Sequence, residues 1–269
     1  MDRSIEAGRS AQSVGAQNRR AAVLGDTGAG NVRAIEFVRD ARLVDGAKVV
    51  RFQQRARSET VDRVVNLTLA LLATIAVAPV LMLVALAVKL TSPGPVFYSQ
   101  TRVGRDRRGA GDAPAGQRRR INSGGELFTI FKFRSMRTDA EAGGTAVWAV
   151  QNDPRVTPVG EFIRRTRLDE LPQLFNVLKG DMSIVGPRPE RPQIFGELAG
   201  QIPEYSLRAR AKPGITGLAQ INHTYDTCIE GVRVKVRYDL EYLQTATIWT
   251  DLRIMVMTIP VMLLRRGGW

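Results

Sequence analysis

Asp169 and Glu170 stand side by side in Leu168-Asp169-Glu170-Leu171-Pro172, with Arg164, Arg165 and Arg167 within one or two helical turns. Lys132, Arg134, Arg188 and Arg191 lie in short motifs of their own. Adjacent carboxylates among many cations suit a phosphate ester: the cations offset its charge, and a hard divalent ion such as Mg2+ bridges carboxylate and phosphate oxygens. An aspartate can also attack phosphorus itself, forming an acyl phosphate that divides one hard transfer into two easier ones, with the neighbouring glutamate as base or metal ligand. Neighbours on a regular helix diverge by about 100°, so both reach one metal only if the pair lies in the turn before the helix. Pro172 permits that. The plainer reading of Asp169 is a helix N-cap worth about 1 kcal/mol, but a cap has no need of so many cations. Arg188 lies in Gly186-Pro187-Arg188-Pro189, where the prolines restrict the backbone and direct the guanidinium; its plainer reading is a solvated arginine on a rigid turn.

These residues need elements to hold them. Alternating apolar residues predict a strand over 127–133. The pattern predicts one helix over 159–167 and another from near Pro172 to just before Gly180. The pair then sits at or just before a helix N-terminus, where backbone N–H groups favour negative charge. Upstream, residues 64–88 contain no charged side chain and are long enough to cross a bilayer. Pro79 removes a backbone hydrogen bond near the middle of that segment. Basic residues flank both ends, Arg51, Arg55, Arg57 and Arg63 before it and Lys89, Arg102, Arg105, Arg107 and Arg108 after it. Basic flanks stay cytoplasmic, which favours a helix that bends at Ala78-Pro79 and returns to the face it entered. A proline-kinked spanning helix is the other reading.

The 269 residues are 44% hydrophobic and carry a formal charge of +13, enough to bury a core and to attract polyanionic partners. Cys228 is the only cysteine and His223 the only histidine, which rules out an intramolecular disulfide and effectively excludes a Cys/His zinc site or a Ser-His-Asp triad. Neither residue is expected to be catalytic. Residues 1–61 read as a flexible polar extension; its glycine-rich run at 25–30 lacks the Lys-Ser/Thr pair of a phosphate loop. Residues 105–125 read as a basic flexible loop near anionic headgroups. Residues 105–120 contain no aromatic side chain on which bases could stack, so no nucleic-acid partner is expected. Residues 249–264 are apolar-rich but too short to span, and suit a core helix or an interfacial one.

Seven motifs in order carry a resemblance: the apolar segment with its central proline and Ser92-Pro93-Gly94-Pro95-Val96-Phe97; Lys132-Phe133-Arg134-Ser135-Met136; Asp153-Pro154-Arg155-Val156-Thr157; the Asp169-Glu170 motif through Leu174; Gly180-Asp181-Met182-Ser183-Ile184-Val185; the Gly186-Pro187-Arg188-Pro189 run; and Lys212-Pro213-Gly214-Ile215-Thr216-Gly217. From about Asp62 to the C-terminus the chain resembles the bacterial sugar transferases, the monotopic polyprenyl-phosphate phosphoglycosyl transferases. The resemblance implies an α-rich mixed α+β fold. A membrane re-entrant helix-break-helix hairpin (62–100) would precede a compact catalytic domain (101–269) with amphipathic interfacial helices and a short β element, on the cytoplasmic face of the bacterial inner membrane. It implies transfer of a sugar 1-phosphate from a UDP-sugar to undecaprenyl phosphate with release of UMP, the initiating step of exopolysaccharide or other surface-glycan synthesis, with Mg2+ as cofactor. By the same resemblance Asp169 is the nucleophile and a metal ligand. Glu170 is its partner in metal or proton handling, and Lys132, Arg134, Arg164, Arg188 and Arg191 bind substrate phosphate. Similarity in 212–222 and in Tyr238-Asp239-Leu240 points to a hexose, galactose or glucose. Ala78 departs from the pattern, since many members carry serine before the central proline. The contrasting readings are a catalytically inactive membrane-anchored scaffold and an anionic-lipid-binding protein.

Overall fold

The computed structural model describes residues 43–44, 47–48, 55, 57–107, 124–140, 153–223 and 228–263. The chain divides into two units, Met1–Arg51 and Phe52–Trp269. In the first, β1 (Leu43–Val44) pairs antiparallel with β2 (Ala47–Lys48). Residues 55 and 57–61 of that expected flexible extension are also described, and 59–61 are helical; the remainder, its 25–30 run included, lies outside the described residues, as does most of the 105–125 loop.

The second unit opens with α1 (Glu59–Thr91), a 33-residue helix capped by the Ser58 hydroxyl, with Glu59 and Asp62 in its first turn and Lys89 in its last to complement the helix dipole. It is long and apolar enough to cross a membrane. Helical conformation runs unbroken through Ala78 and Pro79. The missing N–H removes one bond, and packing on both sides of the proline supports the remaining turns.

β3 (Phe97–Val103) follows and pairs antiparallel with β4 (Leu127–Phe133), from Phe97 opposite Phe133 to Val103 opposite Leu127. β4 is the strand the alternation predicts. α2 (Pro158–Arg165) starts on a Thr157 cap that accepts from the Gly160 N–H at 2.9 Å. A 3₁₀ turn at Leu168–Glu170 leads into α3 (Gln173–Lys179), which stops at Gly180 with φ 101°, a left-handed conformation that glycine adopts without a Cβ clash. The remaining elements are β5 (Ser183–Val185), α4 (Pro192–Gln201), a 3₁₀ segment at Tyr205–Arg210, β6 (Gly214–Thr216) parallel to β5, α5 (Leu218–Asn222), α6 (Ile229–Thr245) and α7 (Ile248–Leu263).

Two apolar clusters fasten α1 to this domain. Ala70, with Ala73 and Val77, packs on Ile130, Leu174, Val177 and Met182. Beyond Pro79, Val84 and Val88 pack on Phe133 and Ile163, with Leu168 at the edge. β4 serves both clusters, so both halves of α1 lie on one layer. The opposite face of α1 exposes Val64, Leu72, Ile75, Met82, Leu83 and Leu90. α7 likewise exposes Trp249, Leu252, Val256 and Ile259, a helical stripe at three- and four-residue spacing. A mixed helical domain with a few short strands and one long apolar helix is the fold.

Candidate active site

The Leu168–Glu170 turn is shaped from both sides. Arg167, just before it, adopts φ 59°, which breaks the direction of α2, and Leu168 packs into the Val84, Val88 and Phe133 cluster. The pair therefore lies in the turn ahead of α3, as chemistry at one centre requires. Asp169 and Glu170 are each only 8% exposed.

Their surroundings differ. Glu170 is held by cations from separate segments: Lys132 Nζ on β4 donates to Oε1 at 2.8 Å, Arg188 donates to Oε1 and, at 3.3 Å, to Oε2, and Arg167 lies 3.9 Å from Oε2. Burial alone would raise this carboxyl, but Arg188 and Lys132 hold it well below the usual carboxylate range. Among the described residues the Asp169 carboxylate accepts no hydrogen bond and forms no ion pair. Burial pushes it up to about 6; Lys132 opposes the rise and ionised Glu170 adds to it. Burial lowers Lys132, with Glu170 acting against that. Arg188 is raised, chiefly by Glu170. The arrangement is one carboxylate locked as an anion beside a second, more basic one with open oxygens.

The other expected phosphate ligands separate. Arg164 on α2 lies near enough to lower both Asp169 and Asp153. Asp153-Pro154-Arg155 is a local clasp in which Arg155 donates its N–H and Nε to Asp153 Oδ1 at 3.0 and 2.8 Å. Arg191 stands at the cap of α4 near Arg102. The structure does not bring Arg134 to the pair: its guanidinium donates to the Pro93 carbonyl at 2.7 Å and to the Ser92 carbonyl and hydroxyl at 2.8 and 2.6 Å, tying β4 to the chain leaving α1. His223 and Cys228 form no part of the pair's surroundings.

Supporting residues complete the site. Asn176, fully buried, accepts from the Phe131 N–H at 3.1 Å and donates to the Thr129 carbonyl at 2.7 Å, closing the free edge of β4. Arg63 of α1 donates to the Val177 and Leu178 carbonyls, both at 2.6 Å, at the end of α3. A small open cleft adjoins the Arg188 loop, lined by Val103, Pro187, Glu190, Phe195, Arg208 and Pro213 among others. Asn176 and Arg63 act on backbone across long sequence separations, which no local pattern marks.

A helix long and apolar enough to cross a membrane lies on a small mixed domain that holds a buried carboxylate pair among cations. The chain belongs to the bacterial sugar transferase family, whose model matches residues 57–111 and 110–265. It is 44% identical over 200 residues to the UDP-glucose:undecaprenyl-phosphate glucose-1-phosphate transferase of Escherichia coli K12, covering 73% of this chain and 39% of that one. It is 38% identical over 208 residues to the UDP-N-acetylgalactosamine-undecaprenyl-phosphate N-acetylgalactosaminephosphotransferase of Aeromonas hydrophila, covering 77% and 45%. The exopolysaccharide production protein PSS of Rhizobium leguminosarum bv. phaseoli is 39% identical over 206 residues, 73% of this chain and 92% of that one. The chain thus spans less than half the length of the first two relatives.

Proposed function

We propose that this protein transfers a hexose 1-phosphate from a UDP-sugar to undecaprenyl phosphate, releasing UMP, at the cytoplasmic face of the inner membrane, as the first step of exopolysaccharide synthesis. The observation that carries this reading is the unequal carboxylate pair. Glu170 is neutralised by its cations, whereas Asp169 has no hydrogen-bond partner among the described residues and an elevated basicity that favours attack on phosphorus. An Asp169 oxygen bonds to the β-phosphorus of the donor as the bond from that phosphorus to the bridging oxygen breaks, and UMP leaves with the bonding pair. The acceptor phosphate oxygen then attacks the same phosphorus and frees Asp169. Lys132, Arg164 and Arg188 offset the charge that gathers on the equatorial oxygens.

The donor set suits Mg2+. Among the described residues no cluster of three or more metal-ligating side chains exists, and Mg2+ is commonly held by one or two carboxylates together with substrate phosphates. Asp169, whose carboxylate accepts no hydrogen bond among the described residues, would hold it, whereas both Glu170 oxygens are taken by Lys132 and Arg188; when bound, it supplies charge neutralisation and alignment of the diphosphate. Glucose is the sugar we assign, on the name of the Escherichia coli relative; the Aeromonas relative makes an N-acetylated sugar the competitor.

A re-entrant α1 is part of the proposal. Its residues on both sides of Pro79 pack on the same polar domain through Ile130 and Phe133 of one strand. A helix that crossed the bilayer would carry its second half away from that domain. The exposed stripes of α1 and α7 supply the apolar surface for one leaflet.

The test is UMP release by detergent-purified protein from a panel of UDP-sugars, with and without undecaprenyl phosphate and Mg2+, beside Asp169→Asn. Acceptor-dependent release with UDP-glucose, lost in the variant, is expected. Silence across the panel with folded protein and a validated acceptor overturns the reaction, and full activity of Asp169→Asn overturns the covalent mechanism.

A further inference from the structure

Arg188 reaches Glu170 from a loop that is gripped from behind. The Gly186 N–H donates to Thr216 and the Gly214 N–H to Pro187, at 2.9 and 3.0 Å; the Val103 N–H donates to the Glu190 carbonyl at 2.9 Å. Arg102 donates to the Pro189 carbonyl at 3.2 Å. A second side chain grips the loop at Arg188 itself: Arg208 donates to the Arg188 carbonyl at 2.9 Å. The same guanidinium donates to Asp239 Oδ2 through Nε at 2.9 Å and to the Tyr205 hydroxyl at 2.8 Å. One turn earlier on the same face of α6, Lys235 Nζ donates to Glu190 Oε1 at 2.9 Å.

Arg208 and Asp239 are 3% and 2% exposed, bordered by the apolar cluster of Val103, Phe195, Tyr205, Val236 and Leu240. Apolar side chains of similar volume stabilise such a place at least as well as a buried ion pair, so packing does not account for the charges. What an apolar residue cannot do is donate to the Arg188 carbonyl. The planar guanidinium serves three acceptors in fixed directions at once. We propose that Arg208, oriented by Asp239 and Tyr205, is a positioning residue that sets the Arg188 backbone and thereby the Arg188 clamp on Glu170. It rests on the reaction proposed above and adds α6 to the parts that tune it.

Arg208→Lys keeps the charge and loses the fork. Arg208→Lys lowers the rate constant of UMP release about tenfold to a hundredfold, the scale of a misplacement near 1 Å, while the burst amplitude, which counts folded enzyme, stays near that of the wild type. In an Arg188→Met background the same change alters the residual rate less than about twofold, because residues acting through one another are not additive. An equal loss in both backgrounds overturns the inference. Tyr205→Phe, which removes one partner of Arg208 and keeps the ring, carries the same cycle if Arg208→Lys does not fold. Wild-type protein that releases no UMP defeats the reaction instead, and the structure of the Arg208→Lys protein then decides the positioning: Arg188 displaced from Glu170 supports it, Arg188 still bonded to both Glu170 oxygens overturns it.

Discussion

Replacing Asp169 by asparagine should abolish transfer and stabilise the fold. The carboxyl rises from 3.8 to about 6 in the folded protein, first through burial and then through ionised Glu170, against the pull of Lys132. At about 1.4 kcal/mol per pH unit, its ionisation in the fold costs about 3 kcal/mol more than in the unfolded chain. The folded state holds the proton more tightly, so stability declines as pH rises from 3.8 towards 6, and above that range the full cost applies. The neutral amide of Asp169→Asn would carry no such cost, and no hydrogen bond is lost, since the Asp169 carboxylate accepts none among the described residues. Thermal unfolding in detergent near neutral pH should show the variant more stable by up to about 3 kcal/mol, roughly 6 to 12 °C for a domain of this size. At about pH 4 the gap narrows to about 0.5 kcal/mol, because the folded carboxyl is then almost wholly protonated. A variant no more stable than the wild type near neutral pH, or an equal gap at both pH values, refutes the buried, unpaired state of this carboxylate.

Three further outcomes are expected. In a Cys228→Ser background, single cysteines placed as Ser58→Cys and Ser92→Cys, at the two caps of α1, should react with an impermeant thiol reagent from the same side of inverted vesicles; labelling from opposite sides would make α1 a spanning helix. Arg134→Ala should cost about 2–4 kcal/mol of stability through its bonds to Ser92 and Pro93, with the donor KM changed less than about twofold; a KM raised without loss of stability would return Arg134 to the phosphate site. Asn176→Ala leaves the Phe131 N–H and Thr129 carbonyl unpaired and should cost about 2–3 kcal/mol in urea unfolding, an expectation that an unchanged midpoint would defeat.

Those parts of the site whose cause is local are legible in the sequence. The β4 alternation, the Gly180 stop and the placement of Asp169-Glu170 ahead of α3 are read from neighbours in the chain, and the structure has them at those positions. Lys132 and Arg188 are legible as cations in rigid motifs, but their convergence on Glu170 rather than on the open carboxylate depends on strand register and loop grip. β3 is not legible: Phe97-Tyr98-Ser99-Gln100-Thr101-Arg102-Val103 lacks clean alternation, yet all of its seven residues pair with β4. Arg134 is misplaced by sequence because its charge suits phosphate equally well, and only the position of Ser92-Pro93 reveals its use. Asn176 and Arg208 leave no trace, and Asp239 stands out only through the resemblance and not for its bond to Arg208, since each acts on a group distant in sequence.

The helix that reads as an anchor is also the floor of the site. Leu168, one residue before the proposed nucleophile, packs with Val84 and Val88 of α1, while Arg63 and Asn66 near the other end of the helix bond the close of α3 and the start of β5. Asp169 therefore follows directly on a residue packed against the element whose far side is apolar and exposed. Under the proposed reaction, that geometry answers a physical difficulty: the acceptor phosphate is tethered to hydrocarbon and the donor is water-soluble, so the nucleophile must stand where a headgroup can approach without leaving the leaflet. A nucleophile raised on a loop far from α1 would require the lipid to be lifted out at a cost of about 0.8 kcal/mol per exposed CH₂. Packing Leu168 of the carboxylate turn on α1 removes that cost.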